Sequence, residues 1–314
     1  MNSTTGSQIR IIKPFEDAYA IMKATLFQPF DLNKWLVLGF AAFIAGHFSA
    51  GGFSPPLNFP GTQNHPRTDG SGFDMHQYGP LLLAVIAGLI LLGLIFVFVF
   101  MWVRARGIFV FTDCIVRNRV AIKEPWREYR REGNSLFLFL LAAGFLVLLV
   151  IGVLVAMGFV VASAVHFSAD DHVFLLIVLG VLGFVIYMCV VIAFALISYF
   201  MPMVMYRRRC LAMEAFRAVT SLLWNDPGSF VLFCLFGFLL VIGTSMVAGM
   251  VTCATCCIAA LPYVGTVFML PVYVWLRSFG LLYFRQFGPD CDVWGGASPP
   301  SLPPPPPPTQ VVTT

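Results

Sequence analysis

The sequence predicts an all-α integral membrane protein, with six transmembrane helices arranged as three helical hairpins, each preceded by a cytoplasmic interfacial helix. Three observations carry that prediction. The 314 residues are 59% hydrophobic and only 11% charged, where ordinary globular domains carry roughly 25% charged residues. Residues 79–103, 135–165, 173–206 and 228–276 contain no Asp, Glu, Lys or Arg, and an apolar run of about 18 or more residues reads as a membrane span. Eighteen of the nineteen basic residues fall on alternate connecting segments, which is the positive-inside pattern.

Taken in chain order, residues 1–33 form a cytoplasmic amphipathic segment, with Phe15, Tyr19, Met22 and Leu26 at helical spacing. The segment has no early apolar core and no small-residue cleavage site, so the first span is expected to insert as its own anchor. A membrane domain follows over 34–287, with spans at about 34–50, 79–103, 135–165, 172–206, 228–250 and 256–276. The third and fourth exceed the roughly 20 residues that cross a bilayer and are expected to tilt or project beyond it.

No charge separates the fifth and sixth spans, so "MVTCATCC" is expected to be a tight hairpin turn. Pro262 and Pro271 are expected to kink the sixth helix. A re-entrant segment is the alternative there, because non-helical backbone is tolerated at membrane depth when protein covers it. The loop 51–78 is rich in Gly, Pro and polar residues and reads as irregular. Residues 288–314 read as a disordered, proline-rich cytoplasmic tail ending in "SPPSLPPPPPPTQVVTT". Its polyproline II rod could dock a partner protein through a proline-binding groove.

The basic residues concentrate in 104–134, which holds Arg104, Arg106, Arg117, Arg119, Lys123, Arg127, Arg130 and Arg131, and in Arg207, Arg208 and Arg209 directly after a span. This places both termini and these segments in the cytoplasm. Arg104, Arg106, Arg207, Arg208 and Arg209 are the candidate contacts for anionic lipid headgroups. A nucleic-acid partner is not expected, since Glu124, Glu128 and Glu132 interleave with the cluster and no recognised motif is present. A faint repeat relates 15–40 to 212–238, where Met213, Phe216, Val219 and Leu223 recur at helical spacing, and Pro125, Trp126 and Tyr129 play the same part before the third span.

Three units of interfacial helix plus hairpin, closed by "ALPYVGTVFMLPVYVWLRSFGLLYFRQFGPD" with its Pro262–Gly265 step and Arg/aromatic end, resemble a group of bacterial six-span proteins. That group includes the YciC-like inner-membrane proteins and the membrane domain fused to glycerophosphodiester phosphodiesterases. The resemblance implies a bacterial inner membrane and assigns no catalytic residue, because no phosphodiesterase domain is present.

Little in the chain points to chemistry. Cys253, Cys256 and Cys257 have metal-like spacing, but they lie in an apolar hairpin and read as packing residues. His47, His65, His76, His166 and His172, with Asp69, Asp74, Asp170 and Asp171, all fall on the outer side in this topology. They form no tight ligand pair on a helix. No Asp, Glu, Lys or Arg interrupts the apolar blocks, which argues against ion-coupled transport and leaves no acid/base pair for intramembrane hydrolysis. Ser163, Ser198, Thr244, Ser245 and Thr266, with Gly39, Gly152, Gly183, Gly243 and Gly249, read as helix-packing positions. The expectation is therefore a non-enzymatic accessory protein that binds lipids or partners, with no cofactor and no metal. The alternative is a facilitator or exporter of an apolar or amphiphilic small molecule.

Overall fold

The computed structural model describes residues 10–47, 75–164, 171–255 and 258–295. Among the described residues there is no strand. The helices are α1 (Ile12–Phe27), α2 (Leu32–Ile44), α3 (Met75–Val116), α4 (Lys123–Glu128), α5 (Arg130–Ala164), α6 (Asp171–Arg208), α7 (Ala212–Asn225), α8 (Pro227–Ala254), α9 (Pro262–Phe268) and α10 (Leu270–Arg285). Four of them are long and apolar enough to cross a membrane, over Leu83–Val116, Arg130–Val153, Gly180–Arg208 and Pro227–Ala254. Their apolar stretches are exposed: Leu89 and Leu92 of α3, Leu148 of α5, Phe184 of α6 and Phe238 of α8 are each more than half accessible. Surfaces this apolar belong against lipid, not water.

The packed core lies at the basic ends of these helices. In α3, Leu89 through Val99 are exposed, whereas Ala105, Phe109, Val110, Phe111, Cys114 and Ile115 are buried. The segment 104–134 is therefore not an extended loop. It comprises the last turns of α3, all of α4 and the start of α5. The physical reason is that Phe109, Val110, Phe111, Ile115 and Tyr129, scattered among the arginines, gain more from burial than a solvated loop would offer.

α10 is the centre of that core. Leu270, Tyr273, Val274 and every residue from Arg277 to Phe284 are buried. Trp275 donates from Nε1 to the Phe15 carbonyl of α1 at 3.0 Å, and the Tyr283 hydroxyl donates to the Ser229 carbonyl of α8 at 2.7 Å. Phe284 stacks on Phe200 of α6 at 4.9 Å between ring centroids, and Phe279 stacks on Phe233 of α8 at 5.7 Å.

The first and sixth expected spans differ from prediction. α2 has 13 residues, about 20 Å at 1.5 Å per residue, against a hydrocarbon thickness of about 30 Å. Its start is tied to the end of α3 by Lys34 Nζ donating to Asn118 Oδ1 at 2.8 Å. Its end meets α3 at Gly107, where a Cβ would lie 2.5 Å from the Ile44 carbonyl. α2 thus runs antiparallel along the basic end of α3, away from the charge-free stretch. In the sixth segment, Pro262 and Pro271 stand in the first turns of α9 and α10. A residue without an N–H fits a helix start, so the prolines divide the segment into two helices and do not kink one.

α1, α4 and α7 precede α2, α5 and α8, the order the sequence repeat suggests. α7 buries Ala212, Ala215 and Val219, and its Ala212 N–H is capped by Ser135 Oγ of α5 at 3.0 Å. Met213 and Tyr19, expected on apolar faces, are about half exposed. The start of the expected tail is folded: Cys291 and Val293 are buried, Arg285 pairs with Asp292 at 3.2 Å and Arg208 with Asp290 at 3.1 Å. These two ion pairs and the apolar seat hold the first residues of the expected tail in place. The rest of the tail and the loop 51–74 lie outside the described residues.

Candidate functional site

Two polar clusters sit in this core. The first closes the ends of α3, α4 and α6. Asp113 of α3 is fully buried, with Arg119 Nε at 2.6 Å, Arg117 Nε at 3.3 Å and a hydrogen bond from the Tyr206 hydroxyl at 3.0 Å. Arg119 also reaches Glu124 at 3.0 Å and Glu128 at 3.3 Å. Glu128 accepts from Arg117 and Arg209, and the Arg209 guanidinium lies 3.9 Å over the Tyr129 ring. Burial alone would push the Glu128 carboxyl up. The hydrogen bond from Arg209 and the charges of Arg117 and Arg209 outweigh it and hold that carboxyl below its ordinary value. Each charge has a partner, so this cluster reads as a structural clamp.

The arginines expected to meet lipid headgroups are spread over separate places. Arg106 is buried between Trp102 at 4.4 Å and Trp126 at 5.3 Å, and donates from Nε and Nη2 to Asn134 Oδ1 at 3.1 and 2.8 Å. Arg208 pairs with Asp290 and Arg209 with Glu128. Arg207 lies beside Gly295 and, with Trp294, lines a polar pocket of about 390 Å³. Arg104 points elsewhere, into the second cluster.

That second cluster lies between α2, α3, α6 and α10. Arg277 of α10 is only 7% exposed. Its Nε and Nη2 donate to Thr112 Oγ1 of α3 at 3.2 and 2.8 Å, and Thr112 in turn donates to the Ile108 carbonyl at 2.7 Å. The Tyr199 ring of α6 lies 5.8 Å from its guanidinium carbon. Tyr199 can approach because residue 280, one turn beyond Arg277, is glycine: a Cβ there would stand 2.2 Å from the Tyr199 hydroxyl.

His47 joins from the end of α2. Gly46 adopts φ 87°, the His47 N–H bonds the Ala42 carbonyl at 3.1 Å and the Gly46 N–H bonds the Phe43 carbonyl at 3.0 Å. This is the Schellman ending that glycine permits. The His47 ring stacks on Tyr273 at 5.1 Å, and its carbonyl accepts from Thr266 at 3.0 Å. The side chain of Arg104 crosses the face of Gly46 where a Cβ would be.

Two cavities meet at His47, Tyr199 and Arg277. One, of about 420 Å³, is also lined by Arg104, Ser198 and Pro202. The Ser198 hydroxyl is buried with no hydrogen-bond partner among the described residues, and Pro202 inside α6 leaves the Ser198 carbonyl without its helical donor. The other, of about 440 Å³, opens between α6 and α8 and is walled by apolar side chains such as Ile192, Leu196, Phe238 and Val241. Arginine and hydroxyl groups without a carboxylate can hold an anion; they do not make an acid/base pair.

From the sequence, His47 is expected on the outer side and Arg104 and Arg277 on the inner side, yet all three line one cavity. The 13-residue α2 runs along the basic end of α3 and ends beside Gly107, which brings His47 to Arg104. The one sequence signal for the site was Arg277 itself, a lone charge inside "VYVWLRSFGLLY". Among the other residues considered, Cys253 is exposed, and among the described residues no group of His, Cys, Asp and Glu could hold a metal ion. Cys256, Cys257, His65, His166, Asp69, Asp74 and Asp170 lie outside the described residues. Thr244 and Ser245 bond back to Leu240 and Val241 of their own helix.

The model of a family of unknown function (DUF7544) matches residues 9–288. No curated protein and no solved structure matches the chain.

Proposed function

The chain belongs to that family of unknown function, and from this premise we propose a non-enzymatic, multi-pass protein of the bacterial inner membrane that binds lipids or partner proteins in an accessory role. The observation that carries the proposal is the division of the molecule into an exposed apolar belt of four helices and a core of basic helix ends. A six-span arrangement, with α2 as a short first element and α9 with α10 as a broken sixth, rests on the alternation of basic residues along the chain. So do cytoplasmic termini. The family adds no activity to this reading.

Native mass spectrometry of the detergent-extracted protein tests the role. Retained lipid or a stoichiometric protein partner is the expected result. A bound small amphiphile in place of either would favour a facilitator or exporter, and a bare chain would overturn the lipid-binding reading.

Orientation is tested separately. Cysteines introduced in 104–134 and 207–227, in a background without the native ones, should resist membrane-impermeant thiol reagents in intact cells. One introduced in 55–75 should label. Outside labelling of 104–134 would reverse the topology.

A further inference from the structure

We propose that the paired cavities form a binding site for one anionic amphiphile, whose phosphate or carboxylate head meets Arg104, Arg277 and His47 and whose chain leaves between α6 and α8. This deepens the lipid-binding reading above and rests on it.

The head site is argued from charge. Arg277 is buried, and its Nε and Nη2 donate to the neutral Thr112 hydroxyl. Among the described residues neither Arg277 nor Arg104 forms an ion pair with a carboxylate. A charged group removed from water without a counter-ion is costly, and a guanidinium has five N–H donors to satisfy. The arginines of the neighbouring cluster show the contrast, since Arg117, Arg119 and Arg209 all have carboxylates. The orphan Ser198 hydroxyl on the same cavity wall adds a further unsatisfied group. An anion in this cavity would answer the buried Arg277 and Ser198 together, with the solvent-exposed Arg104 as a second cation at its edge.

The chain path is argued from shape. The second cavity shares His47, Tyr199 and Arg277 with the first, is otherwise walled almost wholly by apolar side chains, and opens between two helices whose outer faces are lipid-exposed. Each cavity lies in the roughly 300–1,000 Å³ range of small-molecule sites. A free inorganic anion would leave the apolar cavity unused, whereas an amphiphile fills both.

Binding to delipidated, detergent-purified protein tests the site, with dodecanoate, dioleoylphosphatidylglycerol, inorganic phosphate and the neutral dodecanol as probes. Dodecanoate or phosphatidylglycerol should bind, and which of them binds tighter identifies a carboxylate or a phosphate head. Dodecanol and phosphate should each bind at least about tenfold more weakly, because one lacks the charge-assisted hydrogen bonds and the other the apolar contact.

Arg104→Gln and Arg277→Gln should each weaken binding of the anionic amphiphile by at least about tenfold. Should Arg277→Gln fail to fold, Gly237→Phe remains. Gly237 lines the apolar cavity, and among the described residues nothing outside its own stretch of helix comes within 4 Å of a built Cβ, so a phenyl ring there occupies the chain path and leaves both arginines in the sequence. It should leave thermal stability unchanged and abolish chain binding. Equal binding of dodecanol and dodecanoate, or wild-type binding by both Arg104→Gln and Gly237→Phe, would overturn the proposal. Lipid still retained by those variants in native mass spectra would then leave the broader lipid-binding reading standing, and only this site would fall.

Discussion

Asp113→Asn is expected to lower unfolding stability in detergent by about 3 kcal/mol, the lower end of the range for removing one partner of a buried ion pair. Asp113 is fully buried and holds together three groups that are distant in sequence or on different elements: Arg117 and Arg119 after α3, and Tyr206 of α6. The neutral amide keeps the volume and can still accept from Tyr206, but it no longer neutralises two guanidiniums. The lower end applies because Arg117 and Arg119 keep 43% and 26% of their side-chain surface, so water screens part of what is lost. Glu124→Gln is the control: Glu124 is 72% exposed, and its loss should change stability by no more than about 0.5 kcal/mol. Thermal or denaturant unfolding followed by a core tryptophan signal compares the two. Equal small shifts would show that the cluster does not clamp the helix ends.

Gly107→Ala is expected to cost about 1–3 kcal/mol, the range for overpacking a close contact. The added methyl would stand 2.5 Å from the Ile44 carbonyl carbon and oxygen and 2.7 Å from the Ala45 nitrogen. These are backbone atoms and cannot swing aside, so α2 itself must move from α3 and carry His47 away from Arg277. Alanine at Gly152, Gly183, Gly243 or Gly249 should be neutral or slightly stabilising, because among the described residues nothing outside their own stretch of helix comes within 4 Å of a built Cβ and alanine is the better helix former by roughly 1 kcal/mol. The six single variants, including Gly39→Ala against Val267, can be ranked by melting temperature in one series. A cost at Gly243 equal to that at Gly107 would contradict the packing described.

These glycines show how far residue type alone reaches. All five glycines singled out from the sequence sit in apolar helices, and on composition they are equivalent. Only Gly39 makes a close contact, 2.8 Å from Val267 to a built Cβ. Gly107, next to Arg106 at the start of the basic stretch, was not distinguishable from a loop glycine. Close approach of two helices depends on which turn of one faces which turn of the other, and that register is a property of the packed pair.

The charge-free blocks determined by themselves that α3, α5, α6 and α8 are long apolar helices, because no other structure satisfies the backbone of so long an apolar run. The helical spacing of apolar residues in α1 and α7 was likewise local information, and it was sufficient to place both helices. Tertiary structure decided the rest. Proline chemistry alone is compatible with a kink or a helix start, and the packing of α9 on α2 and α10 in the core selected two starts at Pro262 and Pro271. A dense arginine cluster looks solvated in one dimension, yet Asp113 and Tyr206, 93 positions apart, bury it from one side. His47 and Arg277 carry no local signal of each other across the chain. They meet because α2 packs along the basic end of α3 and α10 is drawn into the core by its aromatic residues, so the cavity exists only once the helices have packed.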